Sequence, residues 1–403
     1  MVPAAPVDPS GGLIGETFPI SYTSDVDEVR PAVAYNSQRQ EYLVVWWNDR
    51  PNYDDIYGRR LTADGQLLPW FAIVWGTSAR RQPDVAYNAQ ADNYMVVYAE
   101  DWNIGGGIVP ATGGQASAPL FGFTTDGLSS TVYYDQPSIA YDSTSSVYLV
   151  AFRYVNEMGT FGSKVEARGI LGDGSGMSTG GFTLDAFSTA TRPGHPDVAY
   201  NAASDEFLVV WERWDGADRD IHGQRIEYDA STDTMQTMGS TFPIFNTAND
   251  EYGPAVAAIP NGTHGQYLVA CSSEATTTLE VVAQRVTGQG ALEGGQIDVA
   301  TGPGIKKGVD VAASESGGQY LVVWGLASAL VQEQAVSPEG QLLGDMVEVY
   351  SPLTLAREPA VAGGPVGDFF VAFQDASADG SSYDIYGHLW GIRVYLPLVL
   401  KAT

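Results

Sequence analysis

One short phrase recurs seven times along the chain of 403 residues, and this repeat constrains the fold more than any other feature. The phrase begins as Pro31-Ala-Val-Ala-Tyr-Asn and returns near residues 83, 137, 196, 254, 308 and 359. The copies follow one another at intervals of roughly 50 to 60 residues, the length of a four-stranded sheet with its turns. Because one such unit cannot bury its apolar faces alone, the copies are expected to stack against one another.

Each copy contains the signals of four short strands. The repeated phrase is the first strand, and a continuous apolar run such as Tyr42–Trp46 predicts a second strand that is buried on both faces. Segments such as Asp55–Leu61 and Phe71–Ile73 predict the third and fourth strands, and the pair Asp64-Gly65 favours a tight turn between them. No segment has a convincing helical pattern, so the sequence predicts an all-β fold.

Two observations predict that the repeats close into a ring. The seventh copy lacks a fourth strand, whereas Gly15–Ser21 near the N-terminus matches the fourth strand at Gly239–Phe245. An alanine also occupies one position in all seven copies, as a crowded innermost strand requires: Ala34, Ala86, Ala140, Ala199, Ala257, Ala312 and Ala362. The chain therefore resembles the seven-bladed β-propellers, with four-stranded antiparallel blades and an N-terminal strand that closes the ring. The expected division is an extension at 1–12, the propeller at 13–391 and a tail at 392–403.

The apolar tail has no place in any blade if the N-terminal strand closes the ring. Its Tyr-Leu-Pro-Leu-Val segment resembles the endings of exported proteins of certain filamentous bacteria. One interpretation is a strand packed on its own propeller, and the other is an export tag or an assembly strand added to a neighbouring subunit. The assembly residues would be Val394, Tyr395, Leu396, Leu398, Val399 and Leu400.

Charge and composition exclude several functions. Asp and Glu number 48 against 20 Lys and Arg, and the net charge of −28 repels nucleic-acid phosphates and anionic membranes. A single cysteine, Cys271, excludes an internal disulfide framework and any multi-cysteine metal site. No apolar run approaches the roughly 18 residues of a membrane span, and no signal peptide is visible. The acidity and the scarcity of lysine and cysteine favour an extracellular or cell-surface protein that has lost its leader.

The candidate binding residues lie in loops that join the second and third strands of a blade, or one blade to the next. Exposed tryptophan beside acids, amides and arginine is a pattern typical of sugar binding and also of protein interfaces. The alternative is that these side chains stack only on one another. The candidates are Arg30, Trp47, Asp49, Arg81, Trp102, Arg213 and Trp214.

Acidic residues before the third strands are the only candidates for a metal site. Calcium needs several oxygen ligands that converge at short range, and no loop of the EF-hand type occurs. A recurrent acid at equivalent blade positions is expected instead to accept backbone N–H groups. The calcium candidates are Asp54, Asp55, Asp218 and Asp220, and the sequence indicates no other metal or cofactor.

No recognisable catalytic motif occurs in the sequence. The Gly-x-Ser-x-Gly elbow, the His-Glu-x-x-His zinc motif, a phosphate-binding glycine loop and the sialidase-type Ser-x-Asp-x-Gly-x-x-Trp box are all absent. The expected function is therefore a non-catalytic extracellular or cell-surface scaffold or recognition protein. Its partners would be proteins, copies of itself or glycans. The alternative is a carbohydrate-active hydrolase or lyase that uses acidic residues in the axial funnel.

Overall fold

The computed structural model is a ring of seven antiparallel sheets around a central axis, which confirms the all-β, seven-bladed fold. Among the described residues the only helix is a 3₁₀ turn at Pro365–Gly367, and no helix is long and apolar enough to cross a membrane. The described residues are 12–21, 23, 26–50, 53–117, 128–176, 181–214, 216–259, 265–275, 277–314, 318–327, 330–349, 356–376, 380 and 382–391.

The first four blades follow one another along the chain, each beginning with its innermost strand. Blade 1 contains β2 (Asp27–Asn36), β3 (Glu41–Arg50), β4 (Tyr53–Thr62) and β5 (Leu67–Val74). Blade 2 contains β6 (Arg80–Asn88), β7 (Asn93–Glu100) and β8 (Asn103–Pro110). Blade 3 contains β9 (Val132–Asp142), β10 (Val147–Asn156), β11 (Gly162–Leu171) and β12 (Phe182–Ser188). Blade 4 contains β13 (Gly194–Asn201), β14 (Glu206–Trp214), β15 (Arg219–Asp229) and β16 (Thr234–Phe245).

The last three blades complete the ring. Blade 5 contains β17 (Glu251–Ala258), β18 (Gln266–Ala275), β19 (Thr278–Thr287) and β20 (Leu292–Ala300). Blade 6 contains β21 (Lys306–Ala313), β22 (Tyr320–Leu326), β23 (Leu330–Val336) and β24 (Leu342–Val349). Blade 7 contains β25 (Arg357–Gly363), β26 (Phe369–Ala376), β27 (Tyr383–Gly391) and the N-terminal strand β1 (Gly12–Pro19).

The N-terminal strand closes the ring as the sequence predicts. Strand β1 pairs antiparallel with β27, so the outermost strand of blade 7 comes from the opposite end of the chain. Phe18 lies opposite Gly387 in this pair, as Phe242 lies opposite Gly223 in blade 4. A Cβ atom at Gly223 would lie 2.8 Å from the Ile244 Cδ1 atom, so close packing of the outer strand explains the glycine of this motif.

The core is distributed over the seams between blades. Alternate residues of β3 pack to opposite sides: Val44 and Trp46 belong to the cluster shared with blade 7, and Leu43 and Val45 to the cluster shared with blade 2. This explains why the second strands are continuously apolar instead of alternating. The seven repeated alanines are all buried on the innermost strands, and each belongs to one of the clusters between neighbouring blades.

Blade 2 is the one sheet for which the structure describes three strands. Residues 118–127, which follow it, lie outside the described range. The segment just before them runs beside blade 1, where the Ala116 N–H group donates to the Ile73 carbonyl over 2.9 Å. The tail at 392–403 and its six assembly residues also lie outside the described residues, so those predictions stay predictions.

Candidate functional site: the axial pocket and the surrounding loop face

Seven equivalent residues surround the mouth of the central axis, each directly before the start of the repeated phrase. A register shift in every innermost strand, such as that between Val29 and Ala32, turns this residue toward the axis. All seven have positive φ angles, although five of them carry side chains that make this conformation cost about 1 kcal/mol. We call these residues the axial ring: Arg30, Gln82, Gln136, His195, Gly253, Gly308 and Glu358.

Hydrogen bonds between neighbouring blades hold the axial ring in place. The Gln136 N–H group donates to the Gln82 Oε1 atom over 2.9 Å, and the His195 N–H group donates to Gln136 Oε1 over 3.0 Å. The Gly253 N–H group donates to Glu212 Oε2 over 3.0 Å, and Glu212 Oε1 lies 2.9 Å from His195 Nδ1. The glutamine side chains thus link successive blades, and the His195 imidazole is held against a carboxylate.

The axial ring lines a pocket of about 320 Å³, which we call the axial pocket. Its rim carries a guanidinium group, two amides, an imidazole and a carboxylate, so hydrogen-bond donors and acceptors both face the opening. Of these rim residues, Arg30 alone was among the predicted binding residues. A signal for the others was available, because the residue before the repeated phrase varies in chemistry while the phrase itself is similar from copy to copy.

Three aspartates line the channel beneath the ring. The Asp84 carboxylate accepts the N–H groups of Val85 and of Ile139 in the next blade, both over 2.8 Å. Burial, together with a smaller contribution from the third aspartate, Asp197, raises the pKa of Asp84 to about 7 and that of Asp310 to about 8. Because Asp310 bonds in the same way to Val311 and to the next blade, these carboxylates brace pairs of blades.

The predicted residues Trp47, Asp49 and Arg81 form one cluster at the seam between blades 1 and 2. The Arg81 guanidinium carbon lies 5.4 Å from the centre of the Trp47 ring, and Arg81 Nε lies 2.6 Å from Asp54 Oδ2. Partial burial and the neighbouring Asp54 raise the pKa of Asp49. The arginine thus covers the indole and neutralises a buried acid, which leaves these groups engaged with one another.

The other predicted residues lie elsewhere on the loop face. Arg213 Nε lies 3.6 Å from Asp185 Oδ2, and the Trp214 ring lies 5.8 Å from the Arg219 guanidinium carbon. Trp102 is 46% exposed at the end of blade 2. Of the seven candidates, Arg30 alone lines the axial pocket, so the structure distributes the predicted residues over four places.

The calcium candidates form two pairs with different surroundings. Asp54 is paired with Arg81, and Asp55 Oδ1 accepts the Gly76 N–H group over 3.1 Å, as expected for an acid that orders a turn. Asp218 and Asp220 lie beside Glu251 in blade 5 and contribute to the raised pKa of that residue, which burial lifts to about 7. Across the described part of the chain, no group of three or more His, Cys, Asp or Glu side chains could hold a metal ion.

Comparison with known proteins gives the fold alone. No protein-family model matches the chain, and neither does any curated protein sequence. A protein of unknown function from Dyadobacter fermentans is 10% identical, with a TM-score of 0.56 over 96% of this chain and 100% of that one. The polysaccharide lyase Uly1 is 9% identical, with a TM-score of 0.52 over 89% of each chain. The Hadza microbial sialidase Hz136 is 10% identical, with a TM-score of 0.50 over 93% of this chain and 68% of that one.

Proposed function

We propose that the protein is a non-catalytic recognition propeller that binds a glycan at the axial pocket. The observation that carries this proposal is the axial ring, in which five positions keep polar side chains in a conformation that glycine would adopt without cost. Two positions of the axial ring, Gly253 and Gly308, are glycine, which shows that the backbone tolerates glycine at this position of the blade. Retaining polar groups against this cost supports a binding role.

The chemistry of the rim favours a ligand rich in hydroxyl groups. Arg30 and the amide nitrogens offer donors, whereas Glu358 offers acceptors, and each sugar hydroxyl can use both kinds. One cation and one anion balance the charge of the rim, while the net charge of −28 opposes an anionic ligand. A neutral glycan is therefore the ligand class we propose. The same acidity and the single cysteine support an extracellular or cell-surface location.

A hydrolase or lyase is the second candidate function, and the raised pKa values of Asp84 and Asp310 favour it. A carboxyl group that titrates near neutrality can serve as an acid catalyst. Against this role, both oxygens of each carboxyl group already accept backbone N–H groups from two adjacent blades. Such bonds would have to break before either group reached a substrate, so we prefer the binding function.

Affinity electrophoresis in gels that contain xylan, arabinan, glucomannan or pullulan tests the binding function. Retardation by at least one polysaccharide is expected for the native chain and should be lost in Arg30→Ala. The matched control is Arg39→Ala, because Arg39 lies in the turn at the opposite face, where it pairs with Asp92. Reducing ends and unsaturated products are measured on the same samples. Retention equal in Arg30→Ala and the native chain would refute the axial site, and soluble products would favour the enzyme.

Self-assembly through the tail remains a prediction of the sequence. Light scattering on the full chain and on a chain that ends at Gly391 tests it. Oligomers that disappear on truncation would make the tail an assembly strand. Monomers in both samples would refute assembly through the tail.

A further inference from the structure

A second cavity lies at the seam between blades 7 and 1 and shares no residue with the axial pocket. Its volume is about 520 Å³, within the range of small-molecule sites. Most of its lining comes from blade 1, and Ser21 and Thr23, which follow β1, complete it. We call it the seam pocket; its lining residues are Ser21, Thr23, Glu28, Trp46, Asn48, Arg50, Tyr57, Arg59 and Trp70.

Glu28 supplies the first feature that indicates a ligand. Its side chain is 2% exposed, and its Oε1 atom accepts the Thr23 hydroxyl over 3.1 Å. The Trp46 indole N–H donates to Asn48 Oδ1 over 2.8 Å and is shared with Glu28 Oε1 over 3.2 Å. The Oε2 atom is buried and has no hydrogen-bond partner among the residues that the structure describes. Buried carboxylate oxygens are rarely left without a partner, because this costs the full desolvation of the group.

Arg50 supplies a donor that complements this acceptor. Its Nε atom is buried and also lacks a hydrogen-bond partner within the described residues, while its guanidinium carbon lies 5.7 Å from the centre of the Tyr57 ring. The other arginine of the pocket is already engaged, since Arg59 donates to the carbonyl groups of Leu68 and Ile20, each over 2.7 Å. The lining residues of the pocket therefore include one acceptor atom and one donor atom that lack hydrogen-bond partners among the described residues.

Three aromatic rings form the apolar wall of the seam pocket. Trp46 and Tyr57 are stacked with centroids 6.4 Å apart, and Tyr57 and Trp70 lie 5.6 Å apart at an angle of 54°. Trp70 is 61% exposed at the outer strand, so the row of rings runs from the buried interior to the surface. An amphipathic ring with a C–H face and polar edges matches this pocket, because its C–H face can pack on the aromatic wall and its polar edges can bond to Glu28 and Arg50.

An equivalent position in blade 5 shows that the acid alone does not make such a site. Glu251 corresponds to Glu28, and its Oε2 atom is likewise buried without a hydrogen-bond partner among the described residues. The residues that correspond to Trp46 and Tyr57 are Cys271 and Val282, which face each other across β18 and β19. Blade 5 therefore has the carboxyl group without the aromatic wall.

We propose that the seam pocket binds one neutral sugar ring, with Trp70 and Tyr57 against its C–H face and with Glu28 and Arg50 bonded to its hydroxyl groups. The open acceptor and donor of these two side chains match a pair of vicinal hydroxyls, each of which can both donate and accept. A neutral ligand is proposed because the strongly acidic chain opposes an anion and the two arginines of the pocket oppose a cation.

Saturation-transfer NMR on the full chain tests this site, with the methyl pyranosides of glucose, galactose, mannose, xylose, arabinose and fucose as probes. At least one is expected to show transfer and a measurable Kd. Glu28→Gln and Trp70→Ala should each weaken that Kd at least tenfold. The control is Trp75→Ala, because Trp75 is 51% exposed near Trp70 and does not line the pocket. Thermal melts of all variants establish that each is folded.

Three outcomes would overturn the seam site. These are transfer to no member of the panel, transfer that survives both Glu28→Gln and Trp70→Ala, and transfer confined to methyl glucuronide, which is included as an anionic comparison. The axial proposal is judged separately by Arg30→Ala in affinity gels, and the two sets of variants share no residue. Each proposal can therefore fail while the other stands.

Discussion

The two faces of strand β3 carry similar residues, but the side chains around them are paired differently. Trp47 faces blade 2, where Arg81 covers its ring and pairs with the buried Asp54. Trp46 faces blade 7, where its indole N–H group bonds to Glu28, whose second oxygen has no partner among the described residues. A tryptophan, an arginine and acids are present on both sides, so composition does not distinguish them. The indole nitrogen of Trp47 also lacks a hydrogen-bond partner among the described residues. The difference therefore lies in the charged groups, because an ion pair forms on the blade 2 side and Glu28 and Arg50 form none among the described residues.

The residues next to each seam explain the difference. Strand β6 carries Arg80 and Arg81 at the positions that correspond to Glu28 and Val29 of β2. At the seam between blades 1 and 2, Arg80 therefore pairs with Glu100 over 2.8 Å and Arg81 with Asp54. At the seam between blades 7 and 1 the same positions hold an acid and a valine. A binding site in a repeat fold thus arises where one copy lacks the countercharge that another copy supplies.

Replacing the two tryptophans should give the largest contrast between these sides. Trp46→Ala removes a ring that is 2% exposed and that caps the buried Glu28, and a loss of about 3 to 5 kcal/mol of unfolding free energy is expected. Trp47→Ala removes a partly exposed ring with one cation–π contact, so about 1 kcal/mol is expected. Guanidinium unfolding midpoints at pH 7 measure both. Equal losses would mean that the two sides are packed alike.

Glu28→Gln should stabilise the chain at high pH. Burial raises the pKa of Glu28 from 4.5 to about 7, so the native state holds a proton that the unfolded state releases. Stability is therefore lost as the pH rises from about 4.5 to 7, and the glutamine variant avoids this loss. A gain of about 3 kcal/mol is expected at pH 8, and no gain at pH 4.

Unfolding of the native chain and Glu28→Gln at both pH values checks this expectation, with Glu251→Gln as the matched variant in blade 5. Burial likewise raises the pKa of Glu251 to about 7, so its variant should show the same trend. A gain that is independent of pH would contradict the titration of Glu28. A gain in Glu251→Gln alone would show that solvent in the seam pocket already hydrates Glu28.

Removing the cation at the other seam should have a smaller effect. Arg81→Ala leaves Asp54 without its partner, and because Arg81 is half exposed a loss of about 1 kcal/mol is expected at pH 7. Asp54→Asn in the same chain should recover much of it, because the amide needs no countercharge. A double-mutant cycle from urea unfolding measures the coupling of the pair. A coupling indistinguishable from zero would mean that solvent screens this pair as it does an ordinary surface ion pair.

The repeats made the fold predictable to the level of single strands. The seven alanines required a crowded inner strand, and the match of Gly15–Ser21 to Gly239–Phe245 placed Phe18 opposite the glycine of the last blade. Both arguments compare equivalent positions of the repeat. Such a comparison depends only on the local backbone geometry that the copies share. The loops that carry Trp102 and Trp214 were also placed on one face by this reasoning, although not in one site.

The binding sites were less predictable because their residues meet only through the ring. The loops at this seam were predicted to bind a ligand because they combine charged residues with an aromatic ring: Trp47, Asp49 and Arg81. In the structure Arg81 belongs to the next blade, where it covers the Trp47 ring and pairs with Asp54. Glu28 stands without a motif, and its burial depends on Thr23 in the segment from the closing strand. A side-chain pairing across two blades has no signature in the spacing of either one.

Asp49→Asn should produce the smallest change and tests whether the seam between blades 1 and 2 is as closed as the structure indicates. Partial burial and the nearby Asp54 raise the pKa of Asp49, while Arg81 opposes them. Because Arg81 already bonds to Asp54, removal of the second acid should relieve repulsion and cost little, for a net change within about 0.5 kcal/mol at pH 7. The same substitution in Arg81→Ala should be distinctly stabilising, since the repulsion between the two acids is then unopposed. A large loss in the single variant, measured by urea unfolding, would show that Asp49 and not Asp54 is the main partner of the arginine.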